Sequence, residues 1–242
     1  MCRTFRRIRN IKYFIKMIKH VFADMDGTVV EHKLAIDPKV MEILNNSDKD
    51  VIIVSGQDME HMDMQLGGLQ CIKMAQSGNL SPKWYNLLSP VEYDEICEHI
   101  YHIKTIFPEY VDHTRDDHIT NMGGQVIFSF RGKNASYENK MSFDLDRKKR
   151  KLVLKTVPFK NDKFNCSIGG TTCLEYTKKD FSKGANIERY IQVMGWNKDE
   201  CIFFGDALQP GGNDHSVVGV IETVEVSGPK DLLIKFEEIC KR

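Results

Sequence analysis

The sequence predicts an α/β fold, a core built on a parallel sheet and interrupted by an inserted α+β module. Three observations predict it. Continuous apolar runs at Val21–Ala23, Val51–Val54 and Cys201–Phe204 are too short for helices and suit strands covered on both faces. Helical segments alternate with those runs at both ends of the chain, as right-handed crossovers between parallel strands require. From about residue 81 to residue 180 that alternation is lost. The expected organisation is a basic extension (1–17), a core (18–80 and 181–242) and an inserted module (81–180).

Taken in order, Val21–Ala23 feeds Asp24-Met25-Asp26-Gly27-Thr28, where Gly27 and Thr28 break the strand. Asp37-Pro38 then reads as a helix cap with Pro in the first turn, followed by apolar Val40, Met41, Ile43 and Leu44. Val51–Val54 ends in Ser55-Gly56, and a further helical stretch follows. Ser81-Pro82 and Ser89-Pro90 punctuate the change of character, and Pro90–Phe107 has helical spacing. A strand at Val126–Phe130, a basic helix at Leu145–Val157, and strands at Phe164–Ile168 and Thr172–Thr177 complete the insertion. Arg147–Lys151 reads as a solvated face of that helix. The parallel pattern returns with Lys183-Gly184, a helix at Ala185–Met194 and the strand at Cys201–Phe204. Segments Val217–Val220 and Thr223–Val226 are expected to finish the sheet, with Pro229–Ile239 as the closing helix.

Composition narrows the function classes. Charged residues make up 28% and hydrophobic residues 41%, ordinary for a globular chain of 242 residues. The net charge of zero hides an asymmetry, because the first twenty residues carry seven Lys or Arg and no Asp or Glu. The acidic remainder argues against a nucleic-acid surface. The basic start reads as an accessory extension, with a targeting helix or a start at Met17 as alternatives. No apolar run is long enough to span a membrane. Seven cysteines without a CxxC pair read as free thiols in a reducing, cytoplasmic compartment. The histidines form no HxxxH or HxH cluster, so zinc is not expected.

The chemistry-bearing residues stand at segment ends. Two carboxylates at i and i+2 after a strand, Asp24 and Asp26, point to one side and repel unless a cation or shared proton relieves them. Asp-Gly alone also fits a turn, Ser55 a helix cap and Lys183 a solvated helix start. Together, Asp24, Asp26, Ser55, Lys183, Asp206 and Asp214 can converge, because ligands of an open α/β sheet bind at the carboxyl ends of its strands. Asp24, Asp206 and Asp214, with the carbonyl of Asp26, suit a hard cation such as Mg²⁺. Asp24 is then a nucleophile, Asp26 the acid and base, and Ser55-Gly56 with Lys183 the phosphate cradle.

This set resembles the haloacid dehalogenase superfamily of phosphotransferases, whose motifs are DxDGT, a Ser or Thr, a Lys and an acidic GD…ND loop. Here they are Asp24–Thr28, Ser55, Lys183 and Gly205-Asp206 through Asn213-Asp214. The resemblance implies a Rossmann-like core and identifies the insertion as a large α/β cap. Ser167-Ile168-Gly169-Gly170 and the run from Phe204 to Asp214 look like signatures of the phosphomannomutase-like branch. Departures matter. Where that branch's mutases place two cap arginines for the distal phosphate, this chain has Met122 and Lys133. Arg131, on the same face as Lys133 if the strand stays extended, is expected to compensate in part. Glu175 stands where the mutases carry an Asp facing the sugar, and Gln125, Ser129 and Asn121 are candidate cap contacts. Lys33 also fits the bacterial hydrolase variants of the branch. The resemblance therefore implies a Mg²⁺-dependent hydrolase of a sugar phosphate, a hexose phosphate such as mannose 6-phosphate. The alternatives are a phosphomannomutase and an idle binding or regulatory protein. The expected partner is a small phosphorylated sugar, and the protein is expected as a monomer or homodimer.

Overall fold

The computed structural model describes residues 17–240. Most of the basic extension lies outside the described residues. The chain enters at β1 (His20–Ala23), buried along its whole length as its apolar run requires. Helix α1 (Pro38–Asn45) starts on Asp37, whose carboxylate accepts from the Lys39 amide. Strand β2 (Asp50–Val54) follows, then α2 (Met59–Leu66), capped by Asp58, and β3 (Ile72–Met74). A hairpin of β4 (Leu80–Ser81) and β5 (Trp84–Tyr85) leads to α3 (Pro90–Ile106), whose Ser89 and Glu92 form a reciprocal capping box.

Strands β6 (Ile119–Asn121) and β7 (Gln125–Ser129) come next, then α4 (Tyr137–Met141) and α5 (Lys148–Thr156). Strands β8 (Phe164–Gly169) and β9 (Cys173–Lys178) precede α6 (Lys183–Met194). Finally β10 (Cys201–Gly205), β11 (Glu222–Glu225) and α7 (Pro229–Cys240) close the chain.

The two sheets differ in kind. Strands β11-β10-β1-β2-β3 form an all-parallel sheet, and β6-β7-β9-β8 an antiparallel one. Val40, Leu44, Met62, Leu66, Leu232 and Phe236 cover one face of the parallel sheet from α1, α2 and α7. Ile187, Tyr190 and Ile191 of α6 cover the other, against Phe22, Ile52 and Phe203. The antiparallel sheet has a separate core, where Ile96, Ile100, Ile103 and Val153 meet Val126, Phe128, Leu174 and Tyr176. Its opposite face carries the alternate residues Gln125, Ile127, Ser129, Cys173, Glu175 and Thr177.

Several sequence expectations are corrected. Val217–Val220 is no strand. A short 3-10 turn spans His215–Val217, and Gly219, at φ +88°, bends the chain before β11. Helix α5 starts at Lys148 rather than Leu145, because Arg147 takes a left-handed backbone and Asp144 accepts from the Lys149 and Arg150 amides. Nor is the whole Arg147–Lys151 stretch solvated. Arg150 is almost fully buried, paired with Asp144 at 2.8 Å and donating to the carbonyls of Gly169, Gly170 and Cys173. Strand β7 does not stay extended to Lys133, since the chain turns at Phe130–Arg131 and Gly132 adopts φ +87°. Strands β3 and β6 were not expected, each being only three residues long.

Candidate active site

Strands β1 and β10 lie side by side, and the chain runs outward from them in opposite directions along the sheet. Such a switch point leaves a crevice beyond the strands' carboxyl ends. Asp24 follows β1 and Asp206 follows β10, so both carboxylates stand at that crevice. The Asp24 amide donates to Phe204 O at 2.9 Å, which fixes the two strand ends together. Gly27 allows the close approach. A Cβ there would lie 2.5 Å from Asp206 Oδ2, and its φ of +83° also favours glycine.

Lys183 reaches the same point from the first turn of α6. Its Nζ donates to Asp24 Oδ1 at 2.5 Å and to Asp214 Oδ1 at 2.6 Å, and all three residues are buried. A buried ammonium is tolerated only when paired, and here it has two carboxylates. Burial pulls the Lys183 pKa down, but Asp24 and Asp214 outweigh it and hold the group above its ordinary value. Burial pushes Asp24 up to about 6, against the opposing pull of Lys183. Asp206 is also raised, by burial first and by Asp214 second.

Carboxylate oxygens of Asp24, Asp206 and Asp214 lie within 4.8 Å of one another. Asp24 Oδ2 is buried with no hydrogen-bond partner, as is Thr28 Oγ1. An orphaned buried carboxylate oxygen beside two other carboxylates is the donor chemistry of a hard divalent cation, so these residues fit Mg²⁺. Asn213 is exposed and Asp214 turns inward, its Oδ2 accepting from the Ala207 amide at 3.4 Å.

Ser55 is buried at the end of β2, its Oγ accepting from the Gln57 amide at 3.1 Å, which leaves its own hydroxyl hydrogen free to donate. Gly56 is exposed, with open space where a Cβ would stand. Asp26 is half-buried, and the Lys33 backbone amide donates to its Oδ1 at 3.0 Å. Two residues with no signal in the sequence also reach Asp26. Gln57 Nε2 donates to Oδ2 and Gln65 Nε2 to Oδ1, each at 3.3 Å. Polar residues on and before a short helix read simply as solvent-facing.

The cap candidates divide. Gln125 is buried and donates to the Gly56 carbonyl at 3.2 Å, so the polar face of the antiparallel sheet looks toward the Ser55-Gly56 loop. Ser129 bonds Thr172 at 3.1 Å, and Asn121 accepts from the Gly123 amide. Glu175 shares that face, paired in register with Ile127 and Ser167, and folds over Gly169, where a Cβ would lie 1.9 Å from its Oε1. Burial raises the Glu175 pKa, with Arg150 opposing. Arg131 is engaged elsewhere. It donates to Asn139 Oδ1 at 2.5 Å and lies 3.9 Å from the Asp112 carboxylate. Lys133 is exposed.

The site is thus a carboxylate–lysine centre at the switch point of a parallel sheet, with the polar face of a second sheet turned toward it. The sequence model of the haloacid dehalogenase-like hydrolases matches residues 83–216, more than half of the chain, and the chain belongs to that family of enzymes. It is similar to the phosphomannomutase of Schizosaccharomyces pombe, 25% identical over 90% of this chain and 93% of that protein. It is also similar to the phosphomannomutase of Dendrobium officinale, 26% identical over 87% and 90% of the two chains. A phosphatase of the haloalkanoate (HAD) superfamily from Bacteroides thetaiotaomicron shares the fold. Its TM-score is 0.59 at 12% identity, over 90% of this chain and 85% of that one.

Proposed function

We propose that this protein is a Mg²⁺-dependent phosphomonoester hydrolase acting on a hexose phosphate such as mannose 6-phosphate. The observation that carries the reading is the buried Asp24–Lys183–Asp214 group with the orphaned Asp24 Oδ2 beside Asp206. Asp24, Asp206, Asp214 and the Asp26 carbonyl would hold the cation, which supplies charge neutralisation for an incoming phosphate.

A carboxylate oxygen of Asp24 attacks phosphorus, and the bond from phosphorus to the sugar oxygen breaks. Asp26 passes its proton to that leaving oxygen, and an aspartyl-phosphate remains. Asp26, now ionised, takes a proton from the attacking water, whose oxygen displaces Asp24 and leaves inorganic phosphate. Ser55 and Lys183 hold the non-bridging oxygens. The core (18–80 and 181–242) carries these groups, and the cap (81–180) closes over them.

Hydrolysis is favoured over mutase chemistry by the state of the cap cations. A mutase must grip a second phosphate, best done by bidentate arginine. Met122 cannot, Arg131 is committed to Asn139 and Asp112, and Arg150 to Asp144 and backbone carbonyls. The phosphomannomutase reading is kept as the second one, because the curated relatives carry that name. Asp24→Asn tests what both share. It should lower phosphate release by about three orders of magnitude or more, as removal of a nucleophile does. Retained release would exclude the aspartyl-phosphate route.

A further inference from the structure

We propose that Gln57 and Gln65 are positioning residues that aim the Asp26 carboxylate at the leaving oxygen. The inference rests on the reading of Asp26 as the group that passes the proton. Asp26 is half-buried at the mouth of the crevice, and a lone aspartate there is free to turn about two bonds. Three donors hold it. Oδ1 receives the Lys33 amide at 3.0 Å and Gln65 Nε2 at 3.3 Å, while Oδ2 receives Gln57 Nε2 at 3.3 Å. Oδ1 is thereby filled, and Oδ2 keeps a lone pair for the travelling proton. At 3.3 Å the amide bonds are long, so they act by direction more than by strength.

Both glutamines are themselves fixed. Gln57 donates its amide to Ser55 Oγ at 3.1 Å and accepts from the Gln76 amide at 2.8 Å. Gln65 shares its Nε2 between Asp26 and the Leu34 carbonyl, and its own carbonyl accepts from the Ile36 amide at 2.8 Å. The phosphate loop and helix α2 thus both set the Asp26 side chain, one oxygen each. Among the described residues, the side chain of Gln57 bonds Asp26 alone, and that of Gln65 bonds Asp26 and the Leu34 carbonyl.

A proton donor matters when the leaving group is a poor one and little when it is good, which gives the test its discrimination. The kcat/KM values would be compared for a hexose phosphate and for p-nitrophenyl phosphate, whose nitrophenolate leaves unaided. The variants are Gln57→Met, Gln65→Met and, as calibration, Asp26→Asn. Each glutamine variant should lose about tenfold or more on the hexose phosphate, as expected for a misaimed group, and change by less than about threefold on p-nitrophenyl phosphate. Gln57→Met touches no bond of the Leu34–Ile36 loop, so it reads the positioning effect even if Gln65→Met disturbs that loop. If Asp26→Asn is selective and neither glutamine variant is, the inference falls and the Asp26 reading stands. If Asp26→Asn itself loses equally on both substrates, the reading of Asp26 falls with it.

Discussion

Single residues in this protein are held at a cost that a pH measurement can detect. Glu175 sits on the polar face of the cap sheet, and burial raises its pKa above the usual carboxylate value. A carboxyl whose folded pKa is raised stabilises the fold relative to its ionised form at low pH, and that contribution is lost as pH rises through the folded value. Glu175→Gln should therefore raise the melting temperature at pH 8. The gain should vanish near pH 4, below the ordinary glutamate pKa of about 4.3. Melting curves at the two pH values check this, and an equal gain at both would place the effect in packing instead. Arg150 is the opposite case. Its charge is fully met by Asp144 and three carbonyls, so it is a structural residue of the β8–β9 turn.

Elements explain why some of this was legible from residues alone and some was not. Strands β1, β2 and β10 are buried on both faces, and continuous apolar runs reveal such strands. The Asp37 cap, followed by Pro38 in the first turn, likewise follows from local chemistry. The short β3 and β6 are set by their neighbours rather than by their own sequence, and so carry no pattern. Arg150 could not be told from its solvated neighbours, since only the tertiary position of Asp144 and the β8–β9 turn makes it buried. At the site, the order of Asp24, Ser55, Lys183 and Asp206 along the chain matched the topology that brings strand ends together. Gln57 and Gln65 did not show, because side-chain bonds between segments leave no periodicity.

Helix α6 offers a test at this scale. Gly184 passes so close to the 215–217 turn that a Cβ would lie 1.9 Å from Ser216 O. The Gly184 amide also donates to Ser216 Oγ at 3.1 Å. Gly184→Ala must push the start of α6 away and carry Lys183 with it. Denaturant titration should show about 1–3 kcal/mol of destabilisation from the overpacking, with kcat/KM falling too. An alanine variant of unchanged activity would mean that Lys183 is not tightly placed.

At the scale of the molecule, three distant stretches of chain meet in one acidic centre, and its electrostatics should make cation binding pH-dependent. Asp24 is raised to about 6 by burial and must lose its proton to serve as a ligand. Mg²⁺ affinity measured by calorimetry should therefore hold above that pH and weaken by up to about tenfold per unit below it. Among the described residues, Gln76 links the parallel sheet to the β6–β7 turn of the antiparallel one. It takes a left-handed backbone at φ +52°, donates to Met122 O and accepts the Gly124 amide at 2.8 Å. Gln125 on Gly56 adds a second link, at the Ser55–Gly56 loop. The residue that stands where a distal-phosphate arginine is expected, Met122, is thus fastened to the core through its backbone.

The most direct test follows phosphate release and 1-to-6 interconversion together, in Mg²⁺. Mannose 1-phosphate and mannose 6-phosphate would be supplied with and without a hexose 1,6-bisphosphate. Phosphate release without interconversion, indifferent to the bisphosphate, is the result expected of a hydrolase whose Arg131 and Arg150 are committed elsewhere. Interconversion that depends on the bisphosphate would contradict the account and assign Lys133, or a rearranged Arg131, to the second phosphate.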